Sequence, residues 1–215
     1  MEICVELPSA RLGLLEADGL GLAPPDRALA QLLSEVCQQK RGEFTLESLA
    51  QAEATRAVRA MFRAWGVDPS RYRPSSEALL RRVVQGKGLY RVLDAVDIAN
   101  LGSIETGWPY GCYDRSRIHG PITFRAGQAG ETYEGIGKRS WHLAGRPVLA
   151  DGEGPFGSPI SDSTRTRITQ STHDILAVIY VPLSVPTAAI DWALDRLGER
   201  FSQYQGARAV RSTIC

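Results

Sequence analysis

The residues of this chain that could do chemistry form none of the common catalytic motifs. The sequence holds no GxSxG nucleophile elbow, no GxxxxGK[ST] phosphate loop and no HExxH zinc motif. The adjacent His173 and Asp174 could be two members of a catalytic triad. Ser161 or Ser163 could supply the nucleophile, but adjacency in the sequence does not supply the geometry that a triad needs.

Metal and cofactor chemistry is not indicated by the spacing of the possible ligands. The four cysteines, at positions 4, 37, 112 and 215, are too far apart for a CxxC pair, and the three histidines are scattered. We therefore predict no metal and no cofactor. Asp97, Tyr113 and Asp114 could act as general bases, but each also fits a helix cap or a surface charge.

Length and charge set limits on the kind of protein. The chain has 215 residues, of which 43% are hydrophobic and 23% charged, which is typical of a globular domain with its own core. Its net charge is +1, from 25 basic and 24 acidic residues. This excludes a strongly basic nucleic-acid binder of the histone type and leaves a local basic patch possible. Only three of the cations are lysines, namely Lys40, Lys87 and Lys138.

The sequence has no feature that directs it to a membrane. The first residues lack the basic and apolar regions of a secretory signal. The longest apolar run, 175–183, is far too short to span a bilayer. We expect a cytoplasmic protein with reduced thiols and no membrane partner.

The first half of the chain is predicted to be mostly helical. Alternating apolar residues predict a strand within 1–7, and the glycines and prolines of 13–25 predict a loop. Helical spacing of apolar residues then predicts helices over 26–39, 46–65, from Ser75 or Ser76 to Gly86, and 93–106. The sequence Gly86-Lys87-Gly88 reads as a turn.

The second half is predicted to be mostly strands. Short apolar segments between glycine-rich turns predict strands over 121–126, 132–136, 147–150 and 174–182, followed by a helix over 187–204. Residues 151–163 are predicted to be irregular, and 163–172 helical or turn-like. Helices that precede strands indicate the α+β class, with one domain whose mostly antiparallel sheet is flanked by helices.

Residues 94–114, DAVDIANLGSIETGWPYGCYD, resemble the (V)DxxNxxxxxxGxPxxxxD signature of a known family. This is the tRNA-editing, or B3/B4, domain of the phenylalanyl-tRNA synthetase beta subunit. The similarity continues in order from about 72 to 182. It implies a freestanding member with three parts: a strand and helical extension over 1–70, a B3/B4-like domain over 71–183, and a C-terminal helix packed on that domain over 184–215.

The resemblance also implies a function class. In the synthetase, this domain hydrolyses the ester that joins a wrong amino acid, tyrosine, to the tRNA. An aminoacyl ester is already activated, so a positioned water and stabilised charge suffice without metal or triad. The implied partner is tRNA or aminoacyl-tRNA.

The family's site carries over only in part. Asn100 matches the motif asparagine and is the implied catalytic residue, while Pro109 matches the proline of the Gly-x-Pro turn. Gly157 and Ser158 fall where the family has a small pair at the pocket wall. Three polar side chains of the family are replaced here, a threonine by Ala99, a histidine by Gly111 and a glutamate by Ala177.

These departures predict an altered specificity. A site without the hydroxyl-reading carboxylate loses its discrimination for tyrosine, so we expect no selective hydrolysis of tyrosyl-tRNA. The substrate-binding pocket is predicted between the segment from Asn100 to Pro109 and the Gly157–Ser158 loop, with Ala177 on its floor. Arg165 and Arg167 could contact tRNA phosphates.

Three functions remain open at this point. The first is a trans-acting hydrolase that clears a mischarged aminoacyl-tRNA. The second is a non-catalytic module that binds RNA, aminoacyl-tRNA or an amino acid, which the lost polar side chains favour. The third is a pathway enzyme that uses aminoacyl-tRNA as its substrate. The sequence indicates neither the amino acid nor the oligomeric state.

Overall fold

The chain folds into two four-stranded sheets and six helices in the part that a computed structural model describes, residues 3–21, 25–137 and 139–215. The helices are α1 (Arg27–Glu43), α2 (Leu46–Gln51), α3 (Glu53–Ala64), α4 (Ser75–Val84), α5 (Asp94–Thr106) and α6 (Thr187–Gln205). The strands are β1 (Ile3–Val5), β2 (Ala10–Asp18), β3 (Tyr110–Asp114), β4 (Ile122–Ala126), β5 (Thr132–Gly135), β6 (Arg139–His142), β7 (Pro147–Asp151), β8 (Gly154–Gly157), β9 (Ile175–Pro182) and β10 (Ala209–Ile214).

Two sheets pack face to face around aromatic side chains. The β4 sheet has the strand order β1-β4-β7-β8, the β9 sheet has the order β10-β2-β9-β3, and β5 and β6 form a separate hairpin. Phe124 of the β4 sheet lies 5.4 Å from Tyr180 of the β9 sheet, measured between ring centroids. All named strand pairs are antiparallel except β1 with β4. The α+β class, with a mostly antiparallel architecture in one domain, is thereby confirmed.

Strand β9 is the centre of the molecule. All eight of its residues are buried, because the β4 sheet covers one face of the β9 sheet and helices cover the other. A strand covered on both faces reads as a continuous apolar run rather than an alternating one. This is why 174–182 is recognisable in the sequence.

The predicted helices form with small changes at their ends. The Asp26 side chain caps α1 by accepting a hydrogen bond of 2.9 Å from the Leu29 N–H. Helix α5 ends at Gly107, whose φ of 75° few other residues adopt. The predicted helix over 46–65 is two helices, since the extended backbone at Ala52 separates α2 from α3.

The predicted loop over 13–25 is wrong for residues 13–18, which belong to strand β2. Gly13 lets α6 lie close to this strand, since a Cβ at this position would be 3.2 Å from the Ile190 side chain. Residues 22–24 of the same prediction lie outside the described residues. Four further strands, β3, β6, β8 and β10, arise where no strand is predicted. Residues 163–172, predicted to be helical or turn-like, contain turns and no helix.

The β9 sheet draws strands from all three predicted parts of the chain. Strand β2 pairs with β9 along eight residues, and β10 pairs with β2 along six. The parts therefore share one sheet and one core, while their boundaries stay a prediction. Among the described residues, no helix has both the length and the apolar character needed to cross a bilayer.

Candidate functional site

Helix α5 and strand β3 form a compact hairpin that carries four of the predicted site residues. Gly102 allows the two elements to approach closely, since a Cβ there would lie 2.8 Å from the Tyr110 ring. The Ser103 hydroxyl closes the turn by donating to the Trp108 carbonyl at 2.7 Å. The Pro109 carbonyl then accepts a hydrogen bond of 3.0 Å from the Tyr180 N–H, which ties the hairpin to β9.

The two faces of the β9 sheet separate Ala177 from the predicted pocket wall. Gly111 pairs with Val178, and Cys112 pairs with Ala177. The Cys112 sulfur lies 3.9 Å from the Ala95 carbonyl of α5, so this face looks toward the helices. Side chains alternate along a strand, and paired residues of neighbouring strands share a face. Gly111 and Val178 therefore lie on the face of the sheet opposite to Cys112 and Ala177.

The face of the sheet that carries Gly111 is filled by the ring of Tyr113. A Cβ at Gly111 would lie 2.5 Å from the Tyr113 Cζ, and a Cβ at Gly157 would lie 2.6 Å from the same atom. Both distances are shorter than atoms can approach without overlap. The ring also packs edge-on against Phe156, with 5.0 Å between centroids. Tyr113 therefore occupies the space between two residues that are predicted to line a substrate pocket.

A hydrogen-bonded cluster of polar groups surrounds the hydroxyl end of this ring. The Tyr113 hydroxyl donates to Asp162 Oδ1 at 2.7 Å and lies 3.1 Å from the Tyr180 hydroxyl. The Ser158 N–H donates to the same Asp162 oxygen at 3.2 Å. The Tyr133 hydroxyl donates to the Ser158 Oγ at 3.1 Å and to the Ser161 carbonyl. We call Tyr113, Tyr133, Tyr180, Ser158 and Asp162 the tyrosine cluster.

Burial sets the charge states in the tyrosine cluster. It raises the pKa of Asp162 to about 7, although the hydrogen bonds from Tyr113 and Ser158 favour the charged form and oppose this rise. Burial also raises the pKa of Tyr113, Tyr133 and Tyr180 above the ordinary value for tyrosine. Asp162 is therefore the member of the cluster that changes its charge near neutral pH.

The remaining predicted residues on the hairpin lie on the helix side of the β9 sheet. Ala99 is buried in α5, with 4% of its surface exposed. Asn100, on the same helix, is half-buried, and its side-chain amide makes no hydrogen bond to any described residue. The structure thus brings Gly111, Gly157 and Ser158 together around Tyr113, while Ala99 and Ala177 lie across the sheet.

The two arginines predicted to contact RNA differ in their availability. The Arg165 guanidinium donates to both carboxylate oxygens of Asp151, at 2.8 and 3.1 Å, and to the carbonyls of Arg117 and Gly154. It holds two loops together and has few free donors. Arg167 is exposed, and its guanidinium contacts no described acceptor. Contact of either with RNA stays a prediction.

The other candidate groups have structural partners. The Asp174 carboxylate accepts from the Gly19 N–H at 2.9 Å, and the His173 ring lies 3.3 Å from the Leu20 carbonyl, so both contact the end of β2. Asp97 accepts from Arg91 Nε at 2.6 Å and from the Val92 N–H, which holds the segment before α5. Burial raises the pKa of Asp97.

A separate cleft of about 820 Å³ lies at the N-terminal end of α5. Its described lining comes from the end of β2, the starts of α1 and α5, the end of α6 and the loop 168–172. It includes Asp97, one of the candidate general bases, but none of the residues that the resemblance assigns to the site. Arg91 crosses one wall and pairs with Asp94 at 2.9 Å. No group of three potential metal ligands occurs in the described part of the chain.

Sequence reasoning missed Asp162 and the three tyrosines of the cluster as a unit. One signal was present: Gly111 and Tyr113 are two residues apart in a segment that becomes a strand, so both must face the same side. The hydrogen bonds that join Tyr113 to Asp162 and Tyr180, and Tyr133 to Ser158, connect positions between 25 and 67 residues apart. No local pattern reports such contacts.

Comparison with known proteins gives the context of this site. The chain is 37% identical over 131 residues to the phenylalanine–tRNA ligase beta subunit of Streptomyces avermitilis, a match that covers 58% of this chain and 15% of that protein. It is 31% identical over 100 residues to the corresponding subunit of Chromobacterium violaceum, covering 46% of this chain and 13% of that one.

One solved structure also matches along the chain. It is an N-terminal fragment of the phenylalanyl-tRNA synthetase beta subunit from Pyrococcus horikoshii, with a TM-score of 0.49, 16% identity, and coverage of 99% of this chain and 50% of that fragment. The two ligase subunits above are much longer than this chain, which spans 13% to 15% of their length. Residues 57–200 match the family model described as the B3/4 domain, well over half of the chain. The chain therefore belongs to the B3/4 domain family.

Proposed function

We propose that this protein recognises the acceptor end of tRNA and does not read the esterified amino acid in the space between Gly111 and Gly157. The proposal is supported by the family and by relatives that are named as tRNA ligase subunits. The observation that carries it is the ring of Tyr113, which occupies the place where the resemblance puts the substrate side chain. Such a binding module would work in the cytoplasm, where aminoacyl-tRNA is made.

The geometry supports the expectation that tyrosyl-tRNA is not selectively hydrolysed. The Tyr113 hydroxyl already has its partners, Asp162 at 2.7 Å and Tyr180 at 3.1 Å. A substrate phenol could enter only after this ring has left and two buried hydrogen bonds have broken, each with a free-energy cost of roughly 1 kcal/mol. On this face of β9, Val178 offers no polar group to a second hydroxyl, and the Tyr180 hydroxyl already lies 3.1 Å from that of Tyr113.

Ester hydrolysis is the second candidate, and the raised pKa of Asp162 is the observation that favours it. At neutral pH this group is present both as acid and as base. If the Tyr113 ring rotated away, the carboxylate could take a proton from a water that attacks the ester carbonyl. The carbon–oxygen bond to the tRNA would then break, and the 3′-oxygen would leave as a hydroxyl after receiving that proton.

The test uses the whole chain with a panel of tRNAs, each charged with a correct or a wrong amino acid. Binding is measured by fluorescence anisotropy with uncharged tRNA, and deacylation is measured by loss of labelled amino acid. We expect binding without preferential release of tyrosine. Tyr113→Phe keeps the ring that fills the site and removes only its hydroxyl, so it is the matched control for the effect of the ring. Rapid tyrosine-selective release by the unmodified protein would contradict the proposal.

A further inference from the structure

The turn that follows α4 combines exposed positive charge with an exposed aromatic ring. Residues 81–91, RRVVQGKGLYR, contain four cations and no acidic residue, and one of the four, Arg91, pairs with Asp94 and Asp97. Gly86 and Gly88 have φ values of 75° and 59°, a backbone that favours glycine and shapes this turn. Tyr90 follows with 63% of its surface exposed, which is the largest exposed fraction among the described large apolar side chains.

Arg82 holds the ring of Tyr90 in a defined position. The Arg82 Cζ lies 3.6 Å from the ring centroid, and its Nη1 donates to the Tyr90 hydroxyl at 2.9 Å. Its Nη2 donates to the Lys87 carbonyl at 3.2 Å, so the same side chain also braces the turn. One face of the ring is therefore covered by a guanidinium, and the other face is open to solvent.

Two further cations lie at the same turn without carboxylate partners. Arg41, at the end of α1, lies against the turn, since a Cβ at Gly86 would be 3.1 Å from the Arg41 Cζ. Lys87 is exposed at the tip of the turn. Neither side chain forms an ion pair with a carboxylate of the described residues. We call Arg41, Arg82, Lys87 and Tyr90 the Tyr90 surface.

We infer that the Tyr90 surface binds an unpaired nucleotide of RNA. The open ring face stacks on a base, and Lys87 and Arg41 pair with the phosphates on either side. Base–aromatic stacking with nearby cations is how proteins hold single-stranded nucleic acid, because bases in a duplex have no free face. An acidic protein would use the cations but would leave the braced ring without a role. The inference rests on the proposed function for its choice of tRNA, whose unpaired 3′ end is the segment we assign to this surface.

The experiment measures anisotropy of the whole chain with three labelled probes: uncharged tRNA, the same tRNA without its unpaired 3′ nucleotides, and a short single-stranded RNA. Tyr90→Ala should weaken binding of the first and third probes at least about fivefold, the loss of one base stack. It should leave binding of the trimmed tRNA nearly unchanged. Tyr90→Phe keeps the stacking face and should bind like the unmodified protein. Lys87→Ala should make the dependence of the logarithm of the association constant on the logarithm of the salt concentration less steep, by about 0.7.

Trp192→Ala is the matched control. Trp192 is also an exposed aromatic residue, with 53% of its surface exposed, but it lies on α6 between Asp191 and Asp195. Heparin, a polyanion without bases, tests for charge alone, and Tyr90→Ala should not change its affinity.

The outcomes separate this inference from the proposed function. If tRNA binds and Tyr90→Ala has no more effect than Trp192→Ala, the inference is overturned and the proposed function stands. If only single-stranded RNA binds and the binding depends on Tyr90, the surface is supported and the proposed function fails. If no RNA binds, both are overturned.

Discussion

Asp162 is the residue whose charge controls the tyrosine cluster. Its carboxylate receives hydrogen bonds from the Tyr113 hydroxyl and the Ser158 N–H, yet burial still raises its pKa to about 7. In the unfolded chain the same group has a pKa near the ordinary value of about 3.9. Folding therefore favours the protonated form between these two pH values.

This difference predicts how stability depends on pH. Between about pH 4 and pH 7 the folded protein holds a proton on Asp162 that the unfolded chain releases, so this group makes the free energy of unfolding fall as pH rises. The decrease is at most about 4 kcal/mol, and it ends above pH 7, where both states are charged. Asp162→Asn keeps an oxygen acceptor and does not titrate. Urea unfolding from pH 4 to pH 8 should show a steeper decrease for the unmodified protein than for this variant. Parallel curves would contradict the prediction.

At the scale of elements, the site depends on how closely β3 and β8 approach the ring of Tyr113. Gly111 in β3 and Gly157 in β8 present bare backbone to its two edges. Neither glycine has a positive φ, so the backbone would accept alanine and only the ring prevents it. The close approach of the two sheets at this point therefore requires small residues on both strands.

Gly111→Ala is expected to disturb this packing. The new methyl group would overlap Tyr113 and push its hydroxyl away from Asp162, so the variant should lose about 1–3 kcal/mol of stability. Gly42→Ala is the control, since Gly42 lies in α1 with nothing within 4 Å of a Cβ, and alanine favours a helix by up to about 1 kcal/mol. Urea unfolding of both variants measures the difference. Equal stability of Gly111→Ala and the unmodified protein would show that the ring moves aside freely.

At the scale of the whole molecule, strands distant in the sequence complete the β9 sheet. Strand β2 comes from the predicted N-terminal extension, and β10 follows the predicted C-terminal helix. Near the end of the chain, the Cys215 N–H donates to the Leu12 carbonyl at 2.9 Å. Without these strands β9 would have one neighbour in place of two and an unpaired edge.

A fragment of residues 71–183 is therefore expected not to fold alone. It retains β3 and β9 but lacks β2, which pairs with β9 along eight residues, and α6 and β10, which pack on and pair with β2. Unfolding of the whole chain should be a single cooperative transition, and the fragment should give a poorly dispersed amide NMR spectrum. A dispersed spectrum with cooperative unfolding would show that 71–183 is an autonomous domain.

Local patterns in the sequence determined the helices and the most buried strand. Asp26 predicts the start of α1, Gly107 the end of α5, and the apolar run over 174–182 predicts β9, because capping, helix ends and burial leave marks within a few residues. The ordered motifs over 72–182 also carry the resemblance to the family to which the chain belongs.

Only the tertiary structure decided what occupies the predicted pocket. Strand β2 forms in a glycine-rich segment because β9 pairs with it and α6 packs on it, and no local preference reports those partners. The placement of Ala177 and Val178 depends on which face of β9 meets β8. A shift of one residue in the strand register exchanges the two faces. Tyr113 reaches Asp162, 49 residues away in the sequence, because two sheets pack together there. Contacts between such distant segments are a property of the packed fold. This is why the sequence alone did not predict that the Tyr113 ring fills the substrate pocket.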